Sequence, residues 1–262
     1  MLRITSRHNP RLKEAGRLVA SARDRRKAGR CVLEGEHLVE VYAQRCGAPE
    51  TRVVADAFLD RPAVRALAQR FDERTLVVPA ALFHEMAVLP AEVGLLAVVP
   101  APSRAVTPGR AFCLLLEEVQ DPGNVGSILR SAAAAGVEDV YLSARCAFAW
   151  APKVLRAGMG GHFHLAIHED VDLPAWATAY RARGGSVLGT VGRGGDDAFE
   201  VPLARPLALA IGNEGAGLSA ALLGACSGKV TIPMPGGVES LNAAAAAAVV
   251  LFEAVRRVRE AA

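Results

Sequence analysis

The chain has 262 residues, of which 52% are hydrophobic and 22% charged, with a formal net charge of +3. That length predicts two domains, and the apolar fraction is ample for buried cores and excludes a disordered polyelectrolyte. The five cysteines (Cys31, Cys46, Cys113, Cys146 and Cys226) form no C-x-x-C pair. They argue for free thiols in a reducing compartment rather than a disulfide framework or a zinc site.

Charge is unevenly spread. Residues 1–30 hold ten Lys/Arg against Glu14 and Asp24, a local +8, which leaves 3 − 8 = −5 for the rest of the chain. A basic end on a slightly acidic body suggests a polyanionic partner, although a solvated helix face explains such a run equally well. Arg far outnumbers Lys, so the Arg excess is not by itself a sign of phosphate recognition. Met1-Leu2-Arg3-Ile4-Thr5 does not read as a secretory leader. The longest apolar run, 243–252, is too short to cross a bilayer. A cytoplasmic protein with no membrane partner is expected.

In chain order, the first predicted element is a helix over 10–21, opened by Pro10 at a position that suits proline. Short apolar strands follow at 31–33, 52–54, 75–78 and 95–99, with helices at 36–44, 63–69 and 80–86 between them. This predicts a small α/β domain over 1–100. Residues 101–110, rich in proline and without periodicity, read as a linker. The alternation then resumes over 111–262. Strands are predicted at 112–116, 139–142, 162–167, 186–190, 207–211 and 229–232. Helices are predicted at 125–135, 152–157, 173–183, 220–226 and 243–258. Continuous apolar strands separated by helices predict a parallel sheet covered on both faces. In such sheets ligands bind beyond the carboxyl ends of the strands. Chemistry is therefore expected in loops 117–124, 190–195, 212–218 and 233–242.

Unusual residues gather in those loops. They hold Asn124-Val125-Gly126-Ser127-Ile128-Leu129-Arg130, Ile211-Gly212-Asn213-Glu214-Gly215-Ala216-Gly217-Leu218-Ser219 and Ile232-Pro233-Met234-Pro235-Gly236-Gly237-Val238-Glu239-Ser240-Leu241-Asn242. Singly, each has a structural explanation. Asn124, Ser219 and Asn242 fit helix N-caps, the glycines fit turns, and Arg130 fits a helix face turned to water.

Together the three segments resemble the SpoU-type (TrmH-like) RNA ribose 2′-O-methyltransferases of the SPOUT superfamily, in the family's order and approximate spacing. Asn9-Pro10-Arg11-Leu12-Lys13 and Val32-Leu33-Glu34-Gly35-Glu36-His37-Leu38-Val39 resemble the substrate-binding domain often attached to it. Two departures are Gly158, where the family often has Ser, and the unbroken alanines after Asn242.

The resemblance implies an α/β protein: a trefoil-knotted SPOUT methyltransferase domain with a parallel sheet over 111–262, and a smaller amino-terminal RNA-binding domain over 1–100. It implies S-adenosylmethionine as cofactor, held by Thr190, Gly212, Gly217, Ile232, Ser240 and Leu241 largely through close-approaching backbone. It implies that Arg130 engages the 2′-oxygen and its phosphate, that Asn124, Glu214 and Asn242 order the loops, and that Ser240 lies near the ribose or cofactor. A phosphate is further expected at the amino end of the helix carrying Arg130. RNA would be gripped by Arg7, Arg11, Lys13, Arg25, Arg26 and Arg30.

Ribosomal RNA is favoured over tRNA as partner, and a non-catalytic RNA-binding protein stands as the alternative from another class. A homodimer is expected, because the helix over 243–258 is apolar around most of its circumference, with Leu251 and Phe252 as anchors. A nicotinamide enzyme is disfavoured by the missing G-x-G-x-x-G. No metal site is expected from His162, His164 and His168, of which the first two would share a strand face.

Overall fold

The structure, a computed structural model, describes residues 1–86, 93–101 and 111–260. The expected linker over 101–110 lies, apart from Ala101, outside the described residues. The chain divides into two compact units. One is Met1–Pro102 with Trp150–Phe163, and the other is Ser103–Ala149 with His164–Ala262.

The amino-terminal sequence contributes β1 (Leu2–Arg3), α1 (Pro10–Ala20), α2 (Ala22–Ala28), β2 (Arg30–Glu34), α3 (Glu36–Arg45), β3 (Thr51–Ala55), α4 (Pro62–Arg70), β4 (Thr75–Val78), α5 (Ala80–His84) and β5 (Leu95–Pro100). The sheet order is β1-β4-β3-β5-β2, with β5 antiparallel to both β2 and β3. Helix α1 begins where expected. Pro10 occupies the first turn and the Asn9 side chain accepts from the amides of Arg11 and Leu12. Its buried Leu12, Ala15, Leu18 and Val19 recur at helical spacing and pack on Val32, Val53, Leu76 and Leu96.

The remaining sequence contributes β6 (Phe112–Leu116), α6 (Pro122–Ala134), β7 (Asp139–Leu142), α7 (Pro152–Gly158), β8 (Ala166–His168), α8 (Leu173–Arg181), β9 (Ser186–Thr190), β10 (Asp196–Asp197), β11 (Leu207–Ile211), α9 (Ala220–Ala225), β12 (Gly228–Thr231) and α10 (Ala243–Glu260). Seven strands form a wholly parallel sheet in the order β10-β12-β9-β11-β6-β7-β8. On one face Leu173, Trp176, Ala177 and Tyr180 of α8 cover Cys113, Leu115, Tyr141 and Ala208. Helix α10 packs along α6 and against β11.

Three expectations are corrected. The strand over 162–167 is instead a 3-10 turn at Gly161–His164 followed by the short β8. His162 and His164 therefore do not share a strand face. Phe163 turns edge-on to Tyr42 at 5.3 Å, and His162 lies against Trp150. Segment 150–163, with α7 packed on β2, thus belongs to the amino-terminal unit, which the division at 101–110 missed. Gly158 goes with it. Finally, the two anchors expected on α10 divide. Buried Glu253 lies between apolar residues of the helix and accepts from Arg256 and Arg257, whose hydrogen bonds hold its carboxyl down at about 2. Leu251 is fully buried within its own unit and cannot anchor a partner, while Phe252 is 48% exposed.

Candidate functional site

The site is assembled at the carboxyl ends of β6, β9, β11 and β12. After β6 the Glu118 backbone turns through a left-handed φ of 56°. Its amide donates to Ser143 Oγ, and its carbonyl accepts from Asn213 Nδ2 at 2.8 Å. Asp121 then caps α6 by accepting from the Asn124 amide at 2.7 Å, with Pro122 at the first helical position. The cap is therefore Asp121 and not Asn124. Because Asp121 and Pro122 already open the helix, it starts three residues earlier than predicted, and Asn124 sits inside its first turn. The Asp121 carboxylate also occupies the helix end where a phosphate was expected.

Asn124 is freed for another task. Its Nδ2 donates to Glu214 Oε1 at 2.9 Å, and its Oδ1 accepts from Asn242 Nδ2 at 2.9 Å. One amide thereby ties together three loops. Asn242 in turn caps α10, accepting from the amides of Ala244 and Ala245. Burial alone would raise the Glu214 carboxyl. Hydrogen bonds from Asn124 and from the amides of Glu214, Asp121 and Gln120 outweigh it and hold the group below its ordinary value.

The loop after β11 folds back on itself. Asn213 and Gly217 exchange backbone hydrogen bonds, and the Asn213 side chain accepts from the amides of Gly215 and Ala216. The fold-back requires glycine at its base: a Cβ on Gly212 would lie 2.3 Å from the Gly217 carbonyl carbon. Beyond it, Ser219 caps α9 while its amide and hydroxyl both donate to Glu117, each at 2.7 Å.

Residues 191–195 carry the chain from β9 to β10, which flank β12 on opposite sides. They cross β12 closely enough that a Cβ on Gly195 would lie 2.8 Å from the Val230 carbonyl carbon.

These loops enclose a cleft of about 660 Å³. All six residues expected to hold the cofactor line it: Thr190, Gly212, Gly217, Ile232, Ser240 and Leu241. Thr190 spends its hydroxyl on the Ala210 carbonyl at 2.8 Å, so it braces β9 against β11. Glu214 and Asn242 line the cleft as well; Asn124 and Arg130 do not. Arg130 is exposed on α6 and makes no hydrogen bond or ion pair among the described residues.

Sequence reasoning singled out loop 190–195 but missed Arg193 within it, along with Met234 and Glu239. It also missed Glu117 and Asp121. A cation flanked by glycines in a loop already marked for chemistry was the available signal for Arg193.

The basic amino-terminal residues separate into two kinds. Arg7, Arg11, Lys13 and Arg26 are exposed. Arg25 is buried, and its Nη1 donates to the Leu18 and Val19 carbonyls at 2.6 and 2.9 Å. It closes the end of α1, where helix carbonyls lack partners, and is withdrawn as an RNA contact. Arg30 is half-buried and paired with Glu14 and Glu50, which neutralise it.

Among the described residues no three His, Cys, Asp or Glu groups gather as a metal site would need, and no helix is long and apolar enough to cross a membrane. His168 is buried against Asp139 at 2.9 Å.

Residues 111–252 match the family model described as the SpoU rRNA Methylase family. The chain belongs to that family. SpoU relatives match beyond that span. The 23S rRNA (guanosine(2553)-2′-O)-methyltransferase of Bacillus subtilis (strain 168) is 32% identical over 96% of this chain and 98% of its own length. The 23S rRNA (uridine(2479)-2′-O)-methyltransferase of Streptomyces viridochromogenes is 33% identical over 97% and 92%. The crystal structure of the SpoU methyltransferase AviRb from Streptomyces viridochromogenes, in complex with AdoMet, superposes with a TM-score of 0.84 at 30% identity, covering 96% of this chain and 99% of that one.

The SpoU cleft of this chain fits such a ligand. It is of the size that takes a drug-sized molecule, its glycines bring backbone to the surface, and its charged lining holds Arg193, Glu214 and Glu239. That set suits a molecule bearing one carboxylate and two cationic centres.

Proposed function

We propose that this SpoU-family chain transfers a methyl group from S-adenosylmethionine to a ribose 2′-hydroxyl of ribosomal RNA, in the cytoplasm and as a homodimer. The chain is an RNA ribose 2′-O-methyltransferase, and S-adenosylmethionine is its cofactor. The observation that carries the reading is the hydrogen-bond chain Glu214–Asn124–Asn242 at the cleft, which joins all three signature segments. A non-catalytic RNA-binding protein would have no use for a cleft of this lining. Ribosomal RNA is favoured over tRNA because relatives matching both units, the amino-terminal one included, carry 23S rRNA names.

When bound, the cofactor supplies a methyl group already activated on a sulfonium. The protein's tasks are then alignment and help with the hydroxyl proton. Thr190, Gly212, Gly217, Ile232, Ser240 and Leu241 hold the cofactor, while Glu214, Asn124 and Asn242 fix the three loops relative to one another. Arg130 stabilises the developing alkoxide and its phosphate. A guanidinium does not deprotonate in proteins, so the proton leaves through phosphate or water. With the amino end of α6 capped by Asp121, Arg130 is left as that helix's phosphate contact.

The trefoil knot belongs to the same reading and is supported by the crossing of residues 191–195 over β12. The homodimer is supported by exposed Phe252 on α10.

The decisive experiment maps 2′-O-methylated nucleotides in total RNA from cells with and without the gene, alongside Arg130→Ala. Loss of one ribosomal RNA methylation in both the deletion and the variant is expected. An unchanged ribose-methylation map overturns the function, and full single-turnover activity of Arg130→Ala overturns that residue's role.

A further inference from the structure

We infer that Arg193 and Glu239 bind the amino-acid end of the cofactor, Arg193 taking the α-carboxylate and Glu239 the α-ammonium. This rests on the reading of the cleft as the S-adenosylmethionine site.

Among the described residues three charged side chains line the cleft, and they are not equivalent. Glu214 is committed to Asn124 and to the Asp121 amide. Arg193 and Glu239 are exposed, and neither makes a hydrogen bond or ion pair among the described residues. They come from different loops, Arg193 after β9 and Glu239 immediately before Ser240 in the loop after β12.

Arg193 sits at the tip of a short loop pinned to β12 at both ends. The Val191 amide donates to the Val230 carbonyl at 2.9 Å, and the Gly195 amide donates to Thr231 Oγ1 at 3.0 Å. The loop is further held by the close crossing at Gly195. A cation on so fixed a platform loses little backbone freedom on binding.

Charge matching decides what it binds. The cofactor carries one carboxylate and two cationic centres, the ammonium and the sulfonium. A carboxylate entering a cleft with two glutamates is repelled and poorly solvated unless a cation meets it. Among the described residues Arg193 is the one cation in the lining, and its planar fork suits a carboxylate. Glu239 then complements the ammonium, leaving Glu214 to its loop-ordering bonds. An RNA phosphate is the competing anion, but Arg130 lies outside the cleft lining and is open to it.

The test uses calorimetry on the full-length protein with three nucleosides: S-adenosylhomocysteine, decarboxylated S-adenosylmethionine, which lacks only the carboxylate, and 5′-methylthioadenosine, which lacks the whole amino-acid group. Arg193→Gln should weaken S-adenosylhomocysteine about tenfold and leave the other two unchanged. Glu239→Gln should weaken S-adenosylhomocysteine and the decarboxylated compound, and leave 5′-methylthioadenosine unchanged. Equal losses for all three nucleosides, or none for any, overturn the assignment. So does an Arg193→Gln protein that keeps its nucleoside affinities but binds RNA more weakly. A wild-type protein that binds no nucleoside at all overturns the cofactor reading itself, and this assignment with it.

Discussion

The Asn124 amide donates to the Glu214 carboxylate at 2.9 Å although the two residues lie 90 positions apart. The contact is charge-assisted, and it is the half of the Glu214–Asn124–Asn242 chain that acid can break. Asn124→Ala should leave Glu214 and Asn242 without this shared partner and slow single-turnover methylation by roughly tenfold to a hundredfold.

The same carboxyl carries a pH signature. Its folded value is depressed, so its contribution is fully present above the ordinary value of about 4.3 and is lost as pH falls through the folded value. The gap in thermal midpoint between wild type and Glu214→Gln should therefore be full above about pH 5 and shrink on acidification. A gap that grows toward low pH would contradict the hydrogen-bond arrangement.

Gly212 and Gly215 occupy one loop but differ in the space around them. A Cβ at Gly212 meets the Gly217 carbonyl carbon at 2.3 Å, whereas at Gly215 the nearest atom is Asn213 Oδ1 at 3.7 Å. Gly212→Ala should cost about 2 kcal/mol or more of stability and abolish nucleoside binding, because the fold-back must open. Gly215→Ala should be close to neutral on both measures. Melting curves and calorimetry on the pair would show whether the loop needs that close approach.

The basic amino-terminal segment yields two opposite expectations. Replacing exposed Arg7, Arg11 and Lys13 with Ala should weaken RNA binding and reduce the salt slope by roughly 2 to 3, through lost phosphate contacts. Arg25→Ala should leave that slope unchanged. It should instead destabilise the protein by about 1–3 kcal/mol, because the Leu18 and Val19 carbonyls lose their donor. Filter binding across a salt series, read beside denaturant melts, separates the two outcomes.

The proposed homodimer is tested at exposed Phe252. Phe252→Lys should weaken self-association by about thirtyfold or more, the order expected for losing a large aromatic anchor. Light scattering across a dilution series reads this directly. A variant that dimerises like wild type would move the interface off α10.

Much of this was legible from residue pattern. Apolar runs such as Phe112–Leu116 and Leu207–Ile211 are long enough to fix a covered parallel strand, and the loop that follows the second held Asn213 and Glu214 of the cleft. Other features were illegible for definable reasons. His162-Phe163-His164 alternates like a strand, and three residues cannot distinguish that pattern from a 3-10 turn. Arg25 sits in a basic run that looks uniformly solvated, and only the tertiary position of the α1 carboxyl end turns it inward. Asn124 is as good a cap as Asp121 by residue type, and the choice falls to Pro122, which sets the helix start. Arg193 belongs to no signature segment, so only the enclosure of the cleft brings it into view.

Residues 150–163 lie in the sequence of the methyltransferase half but pack with the amino-terminal unit, where Phe163 meets Tyr42 and a Cβ at Gly160 would crowd Val41 at 2.9 Å. The amino-terminal unit is therefore encoded in two separate pieces. A recombination event that exchanged residues 1–102 alone between relatives would set a foreign α3 against the resident Phe163 and Gly160. Exchanges of this unit within the family should fold well only when both pieces travel together, or when the second has drifted to match its new neighbour.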